Sequence, residues 1–174
     1  KNVMQKDPVC AETQFSMLNQ QLGNLTRHVR ELAHQLFPPE LELLGLAGAL
    51  RERILSHPNL QVHLETSDEL PVFPAEIETA VYYITLEALT NIEKHARAES
   101  CRIDLALQAS LPVSMLELSI RDDGRGLAEP SAGGMGLLSM QARAVEVGGT
   151  FTIDTVPSGG TAITVRIPCP AATV

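Results

Sequence analysis

The 174-residue chain has the length of one ordinary domain, and its 44% hydrophobic content can build a core that 3% aromatics and no Trp oblige to be aliphatic. A formal net charge of -8 argues against a general nucleic-acid binder, since phosphate contacts need a basic surface, but leaves room for a small anionic ligand in a local pocket. Cys10, Cys101 and Cys169 are odd in number and lack metal-ligand spacing, which reads as reduced thiols in a cytosolic setting, and no apolar run approaches the roughly 18 residues that span a membrane.

Residues 1–12 read as a loose start. From Thr13 to Phe37 the apolar residues Phe15, Leu18, Leu22, Leu25, Val29, Leu32 and Leu36 recur at three- and four-residue steps, an approximate heptad seam on a helix. Pro38 and Pro39 end it. A second helix is predicted from Leu43 to Ser56, then a strand over 60–66 with Leu60, Val62 and Leu64 on one face. Pro74 suits the first position of a long helix reaching Arg97. Two alternating strands follow at 101–109 and 114–122, with a turn near Pro112. A loop spans Asp123 to Gly134, and a helix from Met135 to Val147 stops at Gly148-Gly149. The closing strands, 150–156 and 161–168, flank Ser158-Gly159-Gly160 and read as a hairpin. The expected architecture is α+β: a mixed sheet with helices on one face, a two-layer sandwich.

The long helix carries an unusual polar stripe, "LEALTNIEKHARAES". At about 100° per residue, with Glu87 at zero, Asn91 falls near +40°, Lys94 near -20° and His95 near +80°, while Tyr82, Leu89, Ile92 and Ala96 fall on the far side. A solvated amphipathic face explains this pattern. So does a wall that holds a phosphate-bound metal, since Mg²⁺ prefers oxygen ligands and is often shared with substrate phosphates.

Nine of the twelve glycines lie between Gly124 and Gly160, as "DDGRG", "GGMG", and two "GG" pairs. Each pair alone reads as a turn. Together they favour a site: "GGMG" directly precedes a helix, whose free N-terminal amides bind anions. Asp122 closes a strand just before Gly124 and Gly126, where its carboxylate could accept from an exocyclic amine.

"EALTNIEKHA", "DDGRG" and "GGMGLLSMQARA" resemble, in this order, the N box and two glycine boxes of the histidine-kinase ATP-binding domain, of the gyrase, heat-shock chaperone, histidine kinase and MutL superfamily. The likeness covers residues 43–168, and "RELAHQLFPPELELLGLAGALRE" and "SGGTAITVRIP" resemble the nitrate/nitrite-sensor subclass. It implies a Bergerat-type sandwich and a two-component kinase that binds ATP and Mg²⁺ and serves a response regulator. By this resemblance Asn91 ligates Mg²⁺ and Glu87 acts as the base. Lys94 and His95 sit near the phosphates. Asp122 accepts from adenine, helped through water by Thr161, and Gly124 and Gly126 let the loop pass the base. Gly134 and Gly136, with Leu137, shape the lid hinge and phosphate end. The resemblance departs in the lid, where "LAEPSA" is short and no phenylalanine box appears, so long-lid contacts are not carried over.

The resemblance also implies a phosphoacceptor histidine on a dimerisation helix. "HQLFPP" at His34 is superficially similar to an acceptor box, but no acid follows His34, and a second dimerisation helix should intervene. Residues 13–37 look like that second helix, so residues 1–38 are expected to be tail and dimerisation helix and 39–170 the catalytic domain. The chain opens at Lys1 and is expected to be a cytoplasmic fragment of a homodimer, with the acceptor, and any membrane anchor, upstream. His28, His57 and His63 read as surface or half-buried histidines, Met140 as core, and Arg143 as a surface charge or lid support. An anti-sigma-type serine kinase and a nucleotide-binding regulatory module without kinase activity are the alternative functions.

Overall fold

A computed structural model describes residues 38–67, 70–108, 113–126, 135–157 and 159–169. The heptad helix expected over 13–37, with His28 and His34, lies outside them. All that follows belongs to the unit Glu40–Val174.

Helix α1 runs from Pro39 to Ile54, with Pro39 at its first position, where its missing N–H costs nothing. It begins four residues before the predicted Leu43 and is broken at Gly45, whose φ of 64° and ψ of 174° are not helical. Strand β1 spans Gln61–Thr66. Helix α2, Ala75–Asn91, is followed by one π-helical turn, Ile92–Ala96. Strands β2, Ser100–Gln108, and β3, Ser114–Asp122, precede helix α3, Met135–Glu146. Strands β4, Thr150–Thr155, and β5, Thr161–Cys169, complete the fold.

The sheet order is β1-β2-β3-β5-β4. Only β1 and β2 are parallel, because α2 connects them as a crossover, and the other pairs are antiparallel. The mixed sheet expected from the sequence is therefore present, as is the β4–β5 hairpin.

Alternation along the strands makes the second layer necessary. On β2, Cys101, Ile103 and Leu105 are buried while Arg102 is exposed; on β5, Ile163, Val165 and Ile167 are buried while Arg166 is exposed. One sheet face thus carries the core and the other faces water. Ile103, Ile120, Ile163 and Ile153 are successive register partners across β2, β3, β5 and β4. Val81, Ile84, Ala88 and Leu89 of α2 and Met140 and Ala144 of α3 have no exposed surface and cover this face. The outer face carries ion pairs instead, Arg102 with Glu65 and Asp104, and Arg166 with Glu117. Their exposure makes them weak contributors to stability. Among the described residues, no helix is long and apolar enough to cross a membrane.

Glu78 is the exception inside the helical layer. It is a buried carboxylate whose Oε1 accepts one long bond, 3.3 Å, from the Phe73 N–H. Burial raises its pKa, and the Phe73 bond opposes this more weakly. A raised folded-state pKa means that ionisation opposes folding: stability is full below the unfolded value and declines as pH rises through the folded one. Glu78→Gln should therefore melt higher than the wild type at neutral pH. The gap should close as the pH falls into the ordinary carboxylate range, as read by thermal melts between about pH 4 and pH 8.

Candidate functional site

The site begins where α2 stops being an α-helix. Glu87 and Asn91 are four residues apart and share a face. At Ile92 the backbone N–H is shared between the carbonyls of Ala88 and Leu89, and the turn then widens to the i→i+5 pattern. A wider turn advances less angle per residue than the α-helical wheel assumes. His95 therefore stays beside Asn91 at a cavity of about 220 Å³, and Ile92 and Ala96, expected on the far side, join the same wall. Lys94 is exposed and does not line the cavity. The turn ends at Arg97, which is left-handed at φ 54°.

Asp122, the last residue of β3, is 8% exposed. Its two oxygens are held separately: Oδ1 accepts the Gly124 N–H at 2.8 Å and Oδ2 the Thr161 N–H at 3.2 Å. The carboxylate is thus fixed by backbone on both sides and retains lone pairs at the cavity. The Thr161 link to Asp122 is direct and from the main chain.

Close backbone packing builds the surrounding loops. A Cβ on Gly124 would overlap the Ala96 carbonyl, the same group that accepts the Arg125 N–H at 2.9 Å. Gly160, at φ 89°, leaves no space either, since a Cβ there would overlap the carbonyl oxygen of Asp122. Asp123 faces the other way. Its carboxylate accepts from the Ser100 N–H at 3.0 Å, the Ser100 hydroxyl at 2.7 Å and the Glu99 N–H at 2.9 Å. These bonds, from Ser100 first, hold its pKa below the ordinary range and tie the loop after β3 to the start of β2.

The first helical turn of α3 closes the site. A Cβ on Gly136 would overlap Glu87 Oε1 and approach Asn91 Nδ2 to 3.3 Å, so the second glycine box lies directly against the polar stripe. Gly136 and Leu137 line the cavity, as do Asn91, His95, Asp122, Gly126 and Thr161, while Glu87 and Gly124 stand behind its wall. Gly134 and the lid segment lie outside the described residues.

Residues 76–171 match the family described as histidine kinase-, DNA gyrase B-, and HSP90-like ATPase. The chain belongs to this family. The oxygen sensor histidine kinase NreB of Staphylococcus carnosus is 31% identical over 153 residues, covering 84% of this chain and 43% of NreB. The ATP binding domain of PrrB from Mycobacterium tuberculosis superposes with a TM-score of 0.51 at 25% identity, covering 70% of this chain and 88% of that one. The histidine kinase domain of a blue-light activated histidine kinase from Erythrobacter litoralis has the same fold, with a TM-score of 0.61 at 22% identity over 90% of this chain and 82% of that one. The chain spans less than half the length of curated sensor-kinase relatives such as NreB.

The cavity is also lined by residues that motif reading passed over. Ile120 and Ile163 form the apolar floor of the cavity with Ile153, and Arg125 stands at its edge. The strand period held the signal for two of them: Ile120 lies two residues before Asp122, and Ile163 two after Thr161, on the same faces. The Arg143 guanidinium lies 4.7 Å from the centroid of the Tyr83 ring. Cys101 is the register partner of Asp122, and burial first, then Asp122 and Asp123, push its thiol up to about 12, so it stays protonated and unreactive.

Gly160→Ala tests the packing around Asp122. The positive φ alone should cost about 1–3 kcal/mol, and the overlap with the Asp122 carbonyl adds to it. Urea denaturation measures this loss, and wild-type stability in the variant would show that the loop can shift freely.

Proposed function

We propose that this chain is the nucleotide-binding half of a two-component sensor histidine kinase, with the cavity taking ATP as its Mg²⁺ complex. The observation that carries the reading is Asp122, a buried carboxylate aligned by two backbone N–H groups over a floor of isoleucines. Such a group discriminates strongly, because a base without a donor for it would leave a buried charge unpaired. The apolar floor packs a flat base, Asp122 accepts from its exocyclic amine, and Gly126 lets the loop pass beside it.

Asn91 supplies an amide oxygen for the metal. A neutral amide beside the Glu87 carboxylate fits an ion that takes most of its ligands from substrate phosphates. When bound, Mg²⁺ neutralises phosphate charge. His95 faces the phosphate end, and Lys94 adds positive charge outside the wall. Glu87, next to Asn91, acts as the base that orients the attacking imidazole. Gly136 and Leu137 bring the first turn of α3 close to the phosphates, with Gly134 at the hinge of the lid.

In the whole protein, residues 1–38 contribute tail and dimerisation helix and residues 39–170 the catalytic domain. The homodimer transfers the γ-phosphate to a histidine upstream of Lys1 and from there to a response regulator, on the cytoplasmic side of any membrane anchor. Nucleic acid is not a partner of a chain with a net charge of -8.

Calorimetry with ADP and GDP on the wild type and on Asp122→Asn tests base selection. A charge-assisted bond of about 1.5–3 kcal/mol corresponds to roughly a tenfold to hundredfold preference for ADP that the variant loses. Equal binding of both bases by the wild type would exclude the assigned role. Asn91→Ala in the complete kinase should abolish Mg²⁺-dependent transfer of labelled phosphate while preserving the fold. Acid-labile label marks histidine transfer, and acid-stable label would favour a serine kinase.

A further inference from the structure

The wide turn after Asn91 needs something to hold it. A π-helical turn is rare and competes with the ordinary α-helical register at every residue. Its far end is secured by the Arg125 N–H on the Ala96 carbonyl and by Gly124 packed on Ala96. At its near end Ile92 is buried in the core, and a polar contact ties the turn to another part of the fold: Glu93 Oε2 lies 3.0 Å from Nδ1 of His57.

His57 is well placed to act as an anchor. It sits in the turn between α1 and β1, where its N–H donates to Ile54 and its carbonyl accepts from Leu60. Its side chain is 11% exposed, and that of Glu93 is 34% exposed. The oxygen lies off the direction of the ring N–H, so Nδ1 has no aligned hydrogen bond. The contact is therefore a close approach of a carboxylate oxygen to a ring nitrogen, more than an aligned hydrogen bond.

We infer that His57 and Glu93 are a positioning pair that keeps residues 92–96 in the wide register and thereby decides that His95, and not Lys94, stands at the cavity with Asn91. In the α-helical register Lys94 would lie about 20° from Glu87, and Ala96 would point away from the cavity. The pair touches no substrate and acts only through the turn. The consequence for ligand binding rests on the cavity being the nucleotide site; the consequence for the turn does not.

The test uses this chain with Glu93→Gln, His57→Gln, the double variant, and His57→Lys, which restores a cation. Without nucleotide, amide hydrogen exchange over residues 92–96 should speed up in each single variant. The double variant should be no faster than the singles, and His57→Lys should return toward the wild type. Modification by diethyl pyrocarbonate and by an acetylating reagent, read by mass spectrometry with and without ADP, reports which cation faces the ligand. ADP should protect His95 in the wild type, and protection should shift toward Lys94 in both single variants. ADP affinity should fall about two- to fivefold in each, the range of a partly exposed ion pair. Unchanged exchange in both single variants, or additive effects in the double, would overturn the inference. Failure of the wild type to bind ADP would instead remove the nucleotide reading and leave the exchange result to decide the role of the pair.

Discussion

A carboxylate buried at the end of a strand must be paired before anything else near it can be arranged. Asp122 is held by one N–H from the loop that follows it and another from the first residue of β5. Both donors come from main chain, so side-chain choice cannot supply them; the chain path must. That requirement draws β5 against β3 at this end of the sheet, folds the DDGRG loop back on itself, and brings Gly160 so close to the Asp122 carbonyl that no side chain fits. Gly124 and Gly160 thus follow from the need to keep one buried carboxylate satisfied.

The neighbouring acid does the opposite job. Asp123 is exposed and spends its oxygens on Ser100 and Glu99, which lie just after the wide turn. The two acids thus connect the end of β3 to both sides of the cavity, β5 through Asp122 and the segment after α2 through Asp123. The Arg125 N–H on the Ala96 carbonyl adds a third directional link between the turn after α2 and the loop after β3, beside apolar packing, which is non-directional. Hydrogen bonds at this junction give the two polar walls a defined separation.

Much of this was legible in the sequence. Period-two alternation marked all five strands to within a residue or so, because one sheet face is buried and the other wet. The order of the Asn91, Asp122 and Gly136 boxes marked the site. What escaped reading depended on the third dimension. A fixed angle per residue cannot represent a turn that widens, so Ile92 and Ala96 were assigned to the wrong side and Lys94 to the stripe. Gly45 breaks α1 within a run whose apolar spacing looks helical. The pairing of β5 with β3, which puts Ile163 beside Ile120, joins residues more than forty apart in the chain and leaves no local mark.

The charge distribution resolves a conflict between the whole chain and its pocket. At a formal net charge of -8 the surface repels anions on average, yet this is an ATPase-family domain. Lys94 and Arg97 are gathered in the turn that follows α2, and Arg125 is bonded to the same turn through its backbone. A helix C-terminus carries a partial negative charge, so cations there are stabilised by the helix itself. The same cations would be costly beside one another in a dry interior, but at an exposed helix end water screens their repulsion. Positive charge can therefore be concentrated at this helix end without destabilising the core. Three of the acids, Glu65, Asp104 and Glu117, are matched by arginines on the outer sheet face.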